Sequence, residues 1–226
     1  MNGRLLGGSA AIALGIGFNI PYAVLAAIFE YPQILHRPAD EILTRFAAGG
    51  APLIIAWYGF MLAALALVPV ATALAITPGR LRTMPALALG AALSGALAGL
   101  AQAIGLARWV FVVPILALEP GSSAGQAHLA LLNAYGGVAV GENLGQLLTA
   151  LFVGQMAEIQ RQEEARRTAA LGAATAMCIA IGTGEGPAIV LGIGGQSFGA
   201  MTIAGFAALS LWLLATGWLA IRHRSM

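Results

Sequence analysis

The residues of this chain that could do chemistry are few, and they are acids and amides set among apolar side chains. The fullest set lies in AVGENLGQLLTALF, where Glu142 is followed by Asn143, Gln146 and Thr149, with Tyr135 and His128 upstream. On a regular helix advancing about 100° per residue, with Glu142 at zero, His128 falls at about 40°, Tyr135 at about 20°, Gln146 at about 40° and Thr149 at about −20°. These side chains therefore share one stripe. A carboxyl group flanked by amides suits an ion, a proton or a small polar ligand. With His128 or Tyr135 as proton partner, it suits acid–base work on a lipid or isoprenoid. The plainer alternative is an interior stripe whose side chains satisfy one another.

Two further residues belong with this set. Glu185 sits in GTGEGP, where glycines permit unusual dihedrals and Pro187 suits the first turn of a new helix, so Thr183 or Glu185 could cap it. A helix broken in this way places backbone groups inside membrane proteins that bind ions or substrates. Arg108 is the only positive charge within the apolar parts of the chain. Its guanidinium either snorkels to the outer headgroups or turns inward to pair with Glu142 or Glu185.

Other chemistries are excluded. All 11 positive side chains are Arg, so no lysine is present for Schiff-base catalysis. The single cysteine, Cys178, rules out an internal disulfide and a multi-cysteine site. His36, His128 and His223 lack metal-ligand spacing, so no metal is expected. GTGEGP has no lysine and no P-loop context. No cofactor follows from these residues, and a haem or pigment stays open. A net charge of +2 with scattered arginines gives no nucleic-acid surface.

What must position these groups is a membrane bundle. Of 226 residues 59% are apolar and only 9% charged, with a mean hydropathy of +0.86, whereas about a quarter of an ordinary soluble domain carries charge. The sequence predicts an all-α, polytopic transmembrane bundle in one domain over residues 1–226. It has six spans at about 5–29, 51–76, 85–107, 128–156, 169–195 and 198–221, at about 20 residues per crossing. The first is read as a span, because it is about twice a signal-peptide core and carries Asn19 and Pro21. Between the first two, Pro38 starts a short amphipathic helix that Gly49 and Gly50 end. Pro69 kinks the second span. After the third, residues 110–118 form an interfacial or re-entrant piece bent at Pro114. The fourth continues as a charged helix over 158–168, and the fifth is broken at 182–187.

Arginine placement sets the orientation. With the N-terminus inside, Arg4, Arg80, Arg82, Arg161, Arg166, Arg167, Arg222 and Arg224 are cytoplasmic, and only Arg37 and Arg45 lie in outer loops. Both termini are therefore expected on the cytoplasmic side of a membrane that the chain crosses several times. Trp57 and Trp109 then fall at the outer boundary and Trp218 at the inner one, as an aromatic belt, with Trp212 packed deeper. Gly137, Gly141 and Gly145 form a ridge beside the polar stripe, and Gly95 with Gly99 forms a second. Such ridges admit a helix backbone closely, from the same chain or from a second copy in a homo-oligomer. Gln102, on another face, is expected to bond a neighbour.

The layout of spans, with GLARWVFVVPILA after the third and AVGENLGQLLTALF in the fourth, resembles the bacterial family called domain of unknown function 4386. The resemblance implies a six-helix, multi-pass protein of the bacterial inner (plasma) membrane and carries over no catalytic residue. The residues themselves leave three readings. One is a small transporter or ligand- or ion-binding protein using Glu142, Asn143, Gln146, Glu185, Arg108, His128 and Tyr135. The others are an intramembrane enzyme with a glutamate as acid or base, and an accessory or scaffold subunit docking through its glycine ridges.

Overall fold

The computed structural model describes residues 3–222, and His223 and Arg224 of the expected cytoplasmic end lie outside the described residues. Every regular element among the described residues is helical. The elements are α1 (Gly3–Gly17), α2 (Asn19–Phe29), a 3-10 turn (Gln33–His36), α3 (Ala39–Ala75), α4 (Pro78–Thr83), α5 (Pro85–Phe111), α6 (Val113–Leu116) and α7 (Ser123–Leu132). A π-helix (Asn133–Leu144), α8 (Gly145–Gln162), α9 (Arg166–Gly182), α10 (Glu185–Leu191) and α11 (Gln196–Arg222) complete the chain.

Local chemistry explains most of the boundaries. Asp40 and Glu41 occupy the first turn of α3, where carboxylates favour the positive helix end. Gly50 then adopts φ 55°, ψ −149° and breaks the helix sharply before Pro52. The short amphipathic helix expected after Pro38 is thus the first part of α3. Thr77 caps α4 by accepting from the Arg80 N–H at 3.2 Å. The third long helix runs on to Phe111 and bends at Val112, with Pro114 early in α6 rather than at the bend itself. The charged extension of the fourth stops at Gln162. Glu164 turns through φ 61°, and Arg166 already opens α9. The expected break near 182–187 is a turn at Thr183 and Gly184.

The long helices close into a ring in which α1 packs on α3, α3 on α5, α5 on α8, α8 on α9, α9 on α11 and α11 back on α1. Small residues set the crossings. A Cβ on Gly99 would meet the Ala64 carbonyl oxygen at 2.7 Å, and one on Gly8 would meet the Gly217 carbonyl oxygen at 2.7 Å. Five described stretches are long and apolar enough to cross a membrane: Leu5–Phe29, Ala39–Ala75, Pro85–Leu116, Arg166–Leu191 and Ser197–Arg222. The continuous helical run over 123–162 is not among them, because polar side chains interrupt its apolar window.

Two apolar clusters fill the ring. One, around Leu14, Leu67, Phe152, Met156 and Trp212, lies among the long helices. The other, around Phe29, Phe46, Trp57, Trp109 and Leu129, lies beneath the segment that joins α2 to α3. Trp57 and Trp109 are not interface anchors as the belt argument required. They are 0% and 1% exposed and stack at 4.8 Å with 9° between their planes. Burial of two indoles, with about 0.5–1.5 kcal/mol from the stacking geometry, holds α3 to α5 at this end. Trp218, by contrast, is 62% exposed.

Candidate functional site

The polar residues singled out in sequence gather around the π-helix. Its backbone closes with bonds such as Gly145 N–H to the Val140 carbonyl, five residues back. Each π turn takes up about one residue more than an α turn, so over the 12 residues of Asn133–Leu144 the helical wheel slips by about half a turn. The segment NAYGGVAVGENL is poor in strong helix formers, which lowers the cost of leaving the α geometry.

That slip rearranges the predicted stripe. Gln146 and Thr149, beyond the π-helix, are buried as expected. Gln102 donates to the Thr149 hydroxyl at 2.8 Å, and the Thr202 hydroxyl reaches Gln146 Oε1 at 3.5 Å. His128 and Tyr135, expected on the same interior stripe, are both exposed, Tyr135 at 71%. Asn133 takes their place. On a regular wheel it stands about 180° from Glu142, yet here its Oδ1 accepts from Arg108 Nε at 3.0 Å.

Arg108 is turned inward and only 9% exposed, so it does not snorkel. Besides Asn133 it donates through Nη1 to the Gly105 carbonyl oxygen. Its Cζ lies 5.2 Å from the centroid of the Trp109 ring. A Cβ on Gly137 would stand 2.6 Å from Nη2, so glycine is what lets the guanidinium lie against the π-helix. The helices themselves touch just below, where a Cβ on Gly105 would meet the Gly141 Cα at 2.7 Å. Gly145 completes the ridge against Gln102, so all three glycines of the ridge face α5.

Glu142 is partly buried, and Arg108, Glu185 and His36 are the ionisable groups whose fields reach it. It is not paired. Among the described residues no carboxylate oxygen lies within 4.0 Å of the Arg108 guanidinium, and neither Glu142 nor Glu185 accepts a hydrogen bond from any described side chain or backbone N–H. Asn143 donates to the Thr183 carbonyl oxygen at 3.0 Å and so ties the π-helix to the turn before α10. Glu185 packs against the start of α11, its Oε1 2.9 Å from where a Gly199 Cβ would stand.

The sequence reading missed Asn133 and Tyr31, and weighed His36 only as a metal ligand. Tyr31 joins this site from the connection after α2. Its ring meets Trp57 edge-on at 5.2 Å, and it lies in the fields of Glu142, Arg108 and Glu185. Burial, with the Glu142 charge adding to it, raises its phenol above the ordinary value, so it is a neutral donor near pH 7. The connection is fastened by a four-charge network. Glu30 bonds Arg37 at 3.0 Å and Arg45 at 2.6 Å, while Glu41 bonds both arginines at 3.0 Å. The Arg45 guanidinium holds the Glu30 carboxyl below its usual range.

At the far end of α5 the arrangement is different. Arg80 and Glu163 form a bidentate pair at 2.7 Å and 2.7 Å, and Arg80 Nη1 also donates to the Leu74 carbonyl oxygen. They line a cavity of about 410 Å³ together with Thr77, Gln160 and Thr216. Gln160 is bonded on both sides, donating to Thr216 at 2.9 Å and accepting from Trp212 Nε1 at 3.2 Å.

Among the described residues no group of three or more His, Cys, Asp or Glu side chains is placed to hold a metal ion. Compared with known proteins, residues 6–217 match the family model described as "Domain of unknown function (DUF4386)", and the chain belongs to that family. No curated protein and no solved structure matches it.

Proposed function

We propose that this is a six-crossing protein of the bacterial inner membrane, with both termini cytoplasmic, that binds a small ion or ligand at Arg108, Glu142 and Glu185 and carries it across. Five crossings follow the apolar stretches. The sixth is the run over 123–162, wedged between α5 and α9, which are themselves long and apolar enough to span. Asn133, Asn143 and Thr149 find partners inside the bundle, which offsets part of the cost of their depth. Arg80, Arg82, Arg161, Arg166 and Arg167 fall at one end and Arg37 and Arg45 at the other, which supports the cytoplasmic assignment of the first group.

One observation carries the transport reading: Glu142 stands at a π-helix, in the field of a buried arginine, with no hydrogen-bond partner among the described residues. An ionised group at such a depth costs at least about 2.5 kcal/mol, so an unpaired one marks a pathway or a ligand site. π segments inside helices recur at functional sites, because their backbone strain is retained only where geometry requires it. The enzyme reading loses its proposed proton partners, since His128 and Tyr135 face outward. The scaffold reading explains the glycines but leaves the unpaired acid without a role.

The test is ion flux in proteoliposomes under an imposed potential, with proton, sodium and potassium each measured. Wild-type protein is expected to carry one of them above protein-free vesicles, and Glu142→Gln is expected to abolish that flux with helix content unchanged. Flux that survives Glu142→Gln, or flux equal to empty vesicles for all three ions, contradicts the reading.

A further inference from the structure

The cavity of about 410 Å³ beside Arg80 is lined by hydrogen-bond donors that the fold does not use. A threonine in a helix commonly gives its hydroxyl proton to a carbonyl one turn back. Every other threonine of this chain donates to a backbone carbonyl or, for Thr202, to Gln146. Thr77 and Thr216 donate to nothing among the described residues, and both line this cavity. Thr216 is only 5% exposed and accepts from Gln160 Nε2, so its own proton is left without an acceptor. Gln160 Nε2 keeps one further hydrogen. Of the five N–H bonds of Arg80, two go to Glu163 and one to the Leu74 carbonyl, so two remain. Side-chain acceptors are fewer: Gln160 Oε1 is taken by Trp212, and Glu163 already receives two bonds.

The rest of the lining is small and apolar: Gly7 and Gly8, Ala73 and Leu74, Leu219 and Ala220. These residues stand near the ends of Leu5–Phe29, Ala39–Ala75 and Ser197–Arg222, three of the stretches long and apolar enough to cross a membrane. The cavity therefore lies at the depth of the headgroups rather than of the acyl chains. Ala165 completes the wall, and α9 starts directly after it with Arg166 and Arg167 and no capping side chain. An uncapped helix start beside two arginines favours an anion, which offsets the nearness of Glu163.

We propose that this cavity binds a phosphate ester, its oxygens on Thr77, Thr216, Gln160 and Arg80 and its glycerol-sized remainder against the glycines and alanines. The site is separate from Arg108 and does not rest on the transport reading. Its chemistry follows from the donor set. Donors come from the start of α4, from α8 and from α11, and such convergence suits the tetrahedral oxygens of a phosphate better than a flat carboxylate. A cation would meet unused protons on every polar wall but that of Glu163. Because Glu163 already neutralises Arg80, the directed bonds rather than net charge hold the ligand. The volume falls within the roughly 300–1,000 Å³ of small-molecule sites, which leaves room for more than the phosphate alone.

The experiment is calorimetric titration of the full chain in maltoside micelles, with empty micelles as the blank. The probes are glycerol 3-phosphate, dihexanoyl phosphatidic acid, inorganic phosphate and, as the phosphate-free half, dihexanoylglycerol. Wild type is expected to bind one of the two esters at least tenfold more tightly than inorganic phosphate or dihexanoylglycerol. Tighter binding of the phosphatidic acid makes the source a lipid headgroup, and equal or tighter binding of glycerol 3-phosphate makes it a soluble ester; both support the site. Thr216→Val should weaken the preferred ester at least fivefold, and Thr216→Ser should stay within twofold of wild type. Thr175→Val removes a buried hydroxyl that serves its own helix outside the cavity, and it should leave ester binding unchanged. Thr216→Ala, which adds no volume, replaces Thr216→Val if that variant does not fold. Dihexanoylglycerol or inorganic phosphate bound as tightly as the esters overturns the inference. So does wild type that binds neither ester, or an ester affinity that loss of the Thr216 hydroxyl leaves unchanged.

Discussion

The two ends of α5 use the same kinds of residue in opposite ways. At the Arg80 end the arginine meets its glutamate through two bonds of 2.7 Å, and the amide of Gln160 is bonded on both sides beneath a cavity. The helices there are regular. At the Arg108 end the arginine is held by an amide and a carbonyl, its acids stand apart, and the neighbouring helix is wound as a π-helix. Composition alone does not separate a closed ion pair from an open one. What separates them is whether the charges can reach one another, and the backbone geometry decides that.

The largest effect expected from breaking the Arg108 end is steric. Gly105→Val would drive side-chain atoms into the Gly141 backbone and should cost about 3 kcal/mol in thermal unfolding in detergent. At the other end Gly90→Ala meets only the movable amide of Gln155, at 3.1 Å, and should cost under about 1 kcal/mol. Equal losses would mean that the π-helix crossing is not the tight one.

Asn133→Ala comes next. It strips Arg108 Nε of its acceptor and should cost about 2 kcal/mol, as for a hydrogen bond to a charged group. Tyr135→Leu, which the regular wheel would rank as the more damaging change, should stay within about 0.5 kcal/mol because the ring is exposed. The reverse order would restore the regular wheel.

Arg80→Gln should cost about 1 kcal/mol, since the pair is partly shielded, with side-chain exposures of 15% and 37%. The exchange Arg80→Glu with Glu163→Arg should recover much of that loss. No recovery would show that the bond from Arg80 to the Leu74 carbonyl, rather than the ion pair, fastens α4.

The smallest effect lies at Glu158, which the hydrogen bond from Arg161, helped by Gln162, holds down to about 2. A carboxyl lowered by folding stabilises the fold above its unfolded value, about 4.3, and loses that contribution as pH falls toward 2. Glu158→Gln should therefore flatten the acid limb of the stability profile only slightly, because water reaches both side chains of the pair, 66% and 36% exposed. A large change would give the charged end of α8 a structural weight that its exposure does not suggest.

Much of this architecture was legible in the chain. Apolar runs placed the long helices, Pro38 and Gly50 bounded the helix before the second crossing, and glycine spacing marked the faces that meet α5. The site was legible only in part. Glu142, Asn143, Gln146, Arg108 and Glu185 are types whose presence in apolar sequence is itself informative. Which of their neighbours share a face depends on helical pitch, and a fixed 100° step fails across the π-helix. For that reason Asn133 was overlooked and His128 and Tyr135 were drawn in. Tyr31 was invisible for another reason: it arrives from a connection whose path no periodicity describes. The tryptophans misled similarly, because position along a span does not tell a lipid-facing indole from one stacked within the bundle.

Infrared difference spectroscopy of the full chain in vesicles, recorded across a pH titration, tests the role of Glu142 most directly. A carboxyl band that changes with pH in wild type and is missing in Glu142→Gln is the predicted result. Identical difference spectra for the two proteins over the whole range would contradict it, because a group open to a proton or a ligand must report its own titration.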